Sequence, residues 1–202
     1  MFITFEGIEG SGKSTLLAGI AQRLRDRGYD PLLTREPGGT QTGDLIRDVF
    51  LHARVSVEPL AEAFLINASR AQHVAEVIRP ALASGRPVLC DRYTDSTLAY
   101  QGYGRGLDLG TLQMLCDAAT GSLAADVTLL ADVSVATSQS RVTARGAQKD
   151  RVESSGPAFH ERVRAGFLRL AAENPRIVRI DGEKGIDEML DTAWQKIGGL
   201  LG

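Results

Sequence analysis

Residues 2–15 read FITFEGIEGSGKST. Phe2-Ile3-Thr4-Phe5 has the apolar, β-prone character of a short buried strand. Gly7 to Ser14 then spells G-x-x-x-x-G-K-S. Glycine at 7, 10 and 12 lets the backbone adopt conformations that a side chain forbids, so successive N–H groups can converge on one anion-sized hollow. A helix begins near Lys13, with Leu16, Ile20 and Leu24 on one face, and stops near Gly28. Its N-terminal dipole adds positive potential at the same place. Strand, glycine-rich turn and helix together form a nucleotide phosphate-binding loop. Lys13 can reach the terminal phosphates, and the Ser14 hydroxyl can ligate Mg²⁺.

Working outward, further apolar runs resemble the opening strand: Pro87–Cys90, Val127–Leu130, Ile177–Ile180 and, more weakly, Pro31–Thr34. Longer segments of helical spacing separate them. Leu60, Phe64, Ala71, Val74 and Ile78 are expected to form one packing face of a helix ending near Ser84-Gly85. Leu109, Leu112, Leu115, Cys116 and Ala119 form another apolar stripe, for the core or a dimer face. Strands alternating with helices imply βαβ units and a parallel sheet covered on both faces. The 202 residues, 43% hydrophobic and 24% charged, suffice for a single domain spanning 1–202. The hydrophilic run from Arg145 to Arg151 reads as a mobile flap between two helices.

Composition narrows the function classes. A formal net charge of −2 gives no basic footprint for nucleic acid. No apolar run approaches bilayer length, and the immediate start of a strand leaves no room for a signal peptide. Two cysteines, Cys90 and Cys116, are too few for a disulfide framework or zinc cluster, which suggests a reduced, cytoplasmic setting. Cys90 reads as a packed strand residue. His52, His73 and His160 are scattered without metal-ligand spacing, and Asp132 reads as a helix-entry residue with Ser134.

The use made of the bound triphosphate depends on the other motifs. A GTP switch needs N-K-x-D and D-x-x-G, and neither occurs. A motor or transporter ATPase ends an apolar strand in Asp-Glu, whereas here the strand ends Val88-Leu89-Cys90-Asp91-Arg92. Arginine does not activate water, but its planar fork matches the oxygens of a second phosphate. A donor at the loop and an acceptor at Arg92 point to phosphoryl transfer. Thr34-Arg35-Glu36-Pro37-Gly38-Gly39 follows the second strand. Strand carboxyl ends ring the ligand crevice, so Arg35, Asp91 and Arg92 are expected near Lys13. Arg35 and Glu36 read equally well as a surface ion pair at a Pro-Gly turn, one that could hold a cis bond before Pro37.

Five segments together resemble the bacterial thymidylate kinases: E-G-x-E-G-x-G-K-S-T from Glu6 to Thr15, T-R-E-P-G-G-T from Thr34 to Thr40, S-R-A-Q-H-V from Ser69 to Val74, D-R-Y-x-x-S-x-x-A-Y-Q-G from Asp91 to Gly102, and R-x-x-x-R-G-x-x-x-D-R-x-E from Arg141 to Glu153. The resemblance implies a three-layer α/β/α P-loop fold with a five-stranded parallel sheet, a short mobile lid at about 141–155, and a homodimer. It implies transfer of the ATP γ-phosphate to dTMP with Mg²⁺. The donor phosphates are then expected on Gly7, Glu9, Gly10, Ser11, Gly12, Lys13, Ser14 and Thr15, with Arg141 from the lid, and the metal on Ser14 and Asp91. Glu9 also lies near the acceptor sugar. Arg35 and Arg92 clamp the dTMP phosphate, Arg70 reads thymine, and Pro37, Thr97, Tyr100 and Gln101 line the nucleoside pocket, Tyr100 crowding a ribose 2′-hydroxyl. Where relatives carry a thymine-stacking aromatic this chain has Ile66, so either Ile66 makes a plainer contact or Phe64 substitutes. The loop lacks the arginine that some members carry there, which assigns transition-state charge stabilisation to lid arginines: Arg145 and Arg151 ahead of Lys149.

Overall fold

The computed structural model describes residues 1–52, 56–146 and 150–200. Five strands, β1 (Phe2–Glu6), β2 (Leu32–Arg35), β3 (Val88–Asp91), β4 (Val127–Asp132) and β5 (Ile177–Asp181), form one all-parallel sheet in the order β2-β3-β1-β4-β5. The chain passes from β1 to edge strand β2, back to β3, then across β1 to β4. Strand order therefore reverses around β1, and the crevice opens beyond the carboxyl ends of β1, β2 and β3.

β1 is buried along its whole length, and its alternation assigns each face. Ile3 and Phe5 pack into a cluster with Leu16, Ile20 and Leu24 of α1 (Lys13–Arg25) and with Met189, Ala193 and Ile197. On the other face Phe2 joins Val74, Ile78, Val88 and Tyr93. Thr4 there shares a 2.7 Å hydrogen bond with Thr128 of β4, and Glu6 points into the same layer as a fully buried carboxylate. The remaining helices are α2 (Gln41–His52), α3 (Pro59–His73), α4 (Arg79–Ala83), α5 (Thr94–Thr97), α6 (Leu109–Thr120), α7 (Val135–Ala144), α8 (Pro157–Glu173) and α9 (Ile186–Ile197). α1 and α9 cover one face, while α3, α5 and α8 cover the other. The expected three-layer α/β/α arrangement is thus observed.

Two expectations about packing are corrected. Leu60 and Phe64 are exposed, and α3 instead buries Ala63, Ile66, Asn67, Arg70 and His73. A π-helical turn, Val74–Ile78, joins α3 to α4. One inserted residue rotates a helical face by about 100°, so Val74 and Ile78 turn inward although Leu60 and Phe64, read at constant period, do not. Asp132 is more than a helix entry. Its buried carboxylate pairs with Arg164 at 2.7 Å and Arg179 at 2.7 Å, joining β4 to α8 and β5. Ser134 caps α7, its hydroxyl accepting from Thr137 N–H at 3.1 Å. On α6, Leu112 and Cys116 are buried while Leu109 and Met114 face outward.

Candidate active site

β1 delivers the chain to the phosphate loop, where Gly7 has φ 138° and a Cβ would lie 2.4 Å from the Ala131 carbonyl. Both the angle and the clash restrict this position to glycine. Gly12, at φ 93°, is the left-handed residue that starts α1, and Thr15 is exposed in its first turn. Lys13 is buried, and burial with the nearby Arg92 guanidinium lowers its pKa against the pull of Asp91, Glu9 and Glu6. Ser14 Oγ donates to Asp91 Oδ2 at 3.1 Å. Asp91 Oδ1 is buried and has no partner among the described residues, and the same is true of Ser11 Oγ. A hydroxyl beside a carboxylate with a spare oxygen is an oxygen donor set that suits a hard cation such as Mg²⁺.

The crevice beside the loop encloses about 240 Å³. Arg92 dominates it from a left-handed backbone, φ 72°. Its Nη2 donates to Glu9 Oε1 at 2.7 Å and to Tyr100 Oη at 3.0 Å, and its Nη1 to Ser96 Oγ at 3.1 Å. Ser96 Oγ in turn donates to Glu6 Oε2 at 2.5 Å, while Glu6 Oε1 accepts from Tyr93 N–H at 2.8 Å. A non-glycine residue in this region costs of order 1 kcal/mol or more and persists only when its surroundings hold it; here Arg92 N–H donates to the Phe5 carbonyl at 3.0 Å, and Glu6 fixes the next residue through Tyr93 N–H. Burial works against ionising Glu9, yet Arg92 and Lys13 hold its carboxyl below the usual range. Arg35 lines the same space and pairs with Asp44 at 3.2 Å, so the surface pair with Glu36 does not form. Arg47, invisible to motif reading, is also in the lining, its Nη1 donating to the Pro37 carbonyl at 2.8 Å.

Glu36, which precedes Pro37 through a cis bond, is buried. Its carboxylate pairs with Arg70 Nε at 2.7 Å and His73 Nδ1 at 3.0 Å, all three groups being buried. Arg70 Nη1 donates to Asn67 Oδ1 and Thr97 Oγ1 at 2.9 and 3.0 Å, and Nη2 to the Tyr93 carbonyl at 3.0 Å. Gln101, Thr97 and Ile66 line this end of the crevice together with Phe50. Phe64 does not, being exposed on the opposite side of α3, so Ile66 is the residue that meets the crevice. Phe50 supplies the aromatic surface from α2, with the Arg151 guanidinium 5.1 Å from its ring centroid.

Comparison with known proteins fits this geometry. The family model described as thymidylate kinase matches residues 5–192. The chain is 50% identical over 198 residues to the thymidylate kinase of Desulfovibrio desulfuricans, covering 94% of this chain and 91% of that one. It is 48% identical to the thymidylate kinase of Deinococcus radiodurans, over 98% of this chain and 96% of that one. The chain belongs to the thymidylate kinase family. That family's reaction is the phosphorylation of dTMP to dTDP. Among solved structures, a thymidylate kinase from Ehrlichia chaffeensis matches with a TM-score of 0.81 and 32% identity, covering 98% of both chains.

α7 and the described residues that follow it are anchored in different ways. Ser138 Oγ donates to the Glu9 carbonyl at 2.6 Å, and Arg141 donates to the carbonyls of Gly10 at 3.2 Å and Gly182 at 3.0 Å. Arg145 lines the crevice and pairs with Glu153 at 2.5 Å. Arg151, expected beside Arg145 in charge stabilisation, has its guanidinium held by buried Glu62 and by the Phe50 carbonyl and is not among the residues that line the crevice. Lys149 lies outside the described residues. His160, expected to be incidental, has its Nδ1 3.8 Å from Glu9 Oε2.

Proposed function

We propose that this crevice carries out the family's reaction with ATP as phosphoryl donor, its two ends taking the two nucleotides. The loop from Gly7 to Thr15 cradles the donor phosphates, with Lys13 on the terminal ones. Arg92, joined by Arg35 and Arg47, receives the dTMP phosphate. Glu9 and Tyr100 face the deoxyribose, and Arg70, Thr97, Gln101, Ile66 and Phe50 enclose the base. Ser14 and Asp91 would hold Mg²⁺, which when bound neutralises phosphate charge and orients the donor. The acceptor is an ionised phosphate that needs no general base, so catalysis here is positioning and charge stabilisation. Lys13 and Arg92 serve it directly. Arg145, already at the crevice, completes it from a lid that excludes water. Arg92 carries this reading: it is locked in a left-handed conformation and shares one cavity with Lys13.

A homodimer is supported by a band of exposed apolar side chains, Leu45 and Val49 on α2, Leu60 and Phe64 on α3, Met114 on α6. α3 packs directly against both α2 and α6, and such a band marks an interaction surface. No helix among the described residues is long and apolar enough to cross a membrane. Residence in the cytoplasm, where Cys90 and Cys116 stay reduced and nucleotides are abundant, completes the proposal. The test is ADP release with dTMP, dUMP, dCMP, dGMP and AMP as acceptors, with and without Mg²⁺. dTMP turnover that depends on metal and exceeds the others is expected; equal turnover of all five would overturn the acceptor assignment.

A further inference from the structure

The buried side chain of Gln101 lines the crevice, and its two polar atoms are treated differently. Nε2 donates to Glu62 Oε2 at 3.3 Å. Oε1 is buried and has no partner among the described residues. Glu62 is itself buried, behind the crevice wall, and its carboxylate is shared with Arg105, whose Nη2 lies 3.3 Å from Oε1, and with Arg151 Nη1. A carboxylate offers acceptors only, so the amide N–H of Gln101 must face it and the amide oxygen must face away.

One helical turn earlier, Thr97 accepts from Arg70 Nη1. Arg70 Nη2 has a single acceptor among the described residues, the Tyr93 carbonyl, which leaves one of its two N–H groups unused. Arg70 and Gln101 both line the crevice, so an unused donor and an unused acceptor are available at the same wall, each buried until a ligand reaches it. A pyrimidine imide edge, a carbonyl beside a ring N–H, is the complement of that pair. The corresponding edge of cytosine, an amino group beside a bare ring nitrogen, has the opposite polarity and would meet donor with donor.

We propose that Glu62, which need not touch substrate, is a specificity-determining positioning residue: by fixing the amide of Gln101 it selects acceptors with an imide edge over those with a cytosine edge. This rests on the assignment of Arg70 and Gln101 to the base pocket. The selection is blind to the 5-methyl group, because thymine and uracil share the same imide edge.

Glu62→Gln tests it. The new amide oxygen turns toward Arg105 and Arg151 and the new NH₂ toward Gln101, which then swings its own oxygen to Glu62's place and its NH₂ into the pocket. The ratio of kcat/KM for dTMP over dCMP should fall about 10- to 100-fold, the effect of one buried mismatched polar contact. The ratio for dTMP over dUMP should stay within about twofold. Ratios measured on one preparation cancel the folded fraction, so a merely structural role moves neither. Gln101→Met should lower the dTMP/dCMP ratio as well, and Glu62→Gln should then lower it no further. If Gln101→Met leaves the ratio unchanged, the base-pocket assignment fails. If it lowers the ratio while Glu62→Gln does not, the Glu62 proposal alone is overturned. Should Glu62→Gln not fold, Glu62→Asp, which withdraws the carboxylate by one methylene, is read in the same way.

Discussion

Glu6 offers the sharpest quantitative prediction. It is the last residue of β1, fully buried, and its pKa is pushed from 4.5 up to about 7, first by burial and then by Asp95, against the pull of Arg92 and the hydrogen bonds of Ser96 and Tyr93. A carboxyl whose folded pKa is raised stabilises the fold below the unfolded value of 4.5 and loses that contribution as pH climbs to about 7. The ionisation penalty works out at about 0.8 kcal/mol at pH 5 and about 3.3 at pH 8, a difference of about 2.5 kcal/mol. Glu6→Gln keeps the shape without a titrating group. The stability of Glu6→Gln relative to wild type should therefore rise by about 2.5 kcal/mol between pH 5 and pH 8, whatever constant offset the amide brings. Urea unfolding followed by the single tryptophan, Trp194, reads it, since Trp194 packs against the α1–α9 core cluster. At about 2 kcal/mol per molar urea the relative midpoints should move by about 1 M. A variant-to-wild-type difference that is the same at both pH values would refute the reasoning.

Arg70→Ala should cost about 3–5 kcal/mol in thermal or urea unfolding as well as weakening dTMP binding, because it leaves the buried Glu36 carboxylate with His73 alone; a variant of wild-type stability would show that His73 or water suffices for Glu36. Lys13→Ala should abolish ADP release while leaving the circular dichroism melt nearly unchanged, because burial already works against the lysine's charge in the fold. Arg145→Ala should lower kcat more than it raises the dTMP KM, and the reverse pattern would make it a ground-state contact. Phe64→Glu, which charges the centre of the exposed apolar band, should shift sedimentation toward monomer; an unchanged sedimentation coefficient would place any dimer contact elsewhere.

Much of the fold was legible because its signals are local. Each strand is a run of contiguous apolar residues, and the phosphate loop is built from neighbours whose spacing alone dictates backbone shape. Asp91, Arg92 and Arg35 could be placed because strand ends converge in any such sheet. Legibility failed where the period broke or where partners were remote. The π turn after His73 reassigns the faces of α3, so Phe64 proved exposed and Ile66 crevice-facing. Arg47 and Phe50 sit on an amphipathic helix whose spacing gave no hint that its inner end would close the pocket. Arg151 belongs to a lid motif, but no motif could reveal that a buried carboxylate on α3 would hold it.

That last case belongs to a pattern of three. Glu6 serves Arg92 through Ser96, Glu36 holds Arg70, and Glu62 holds Arg105 and Arg151. Arg70, Arg92 and Arg151 lie in recognisable motifs, but the carboxylates reach them from far away along the chain: Glu6 is 90 residues from Ser96, through which it serves Arg92, Glu36 is 34 from Arg70, and Glu62 is 89 from Arg151. Sequence shows the members of these pairs singly and hides the pairing: no spacing says that Glu36 aims Arg70 or that Glu62 holds Arg151. A free arginine must give up roughly 2 kcal/mol of side-chain entropy when it orders on a ligand, and a guanidinium already fixed by a buried carboxylate has given it up during folding. Burying those carboxylates is costly unless they are paired, so each arginine also satisfies the anion that positions it. The reciprocity explains why a site built to grasp phosphates is lined from behind with acids, and why the net charge of the whole chain, −2, gives no sign of it.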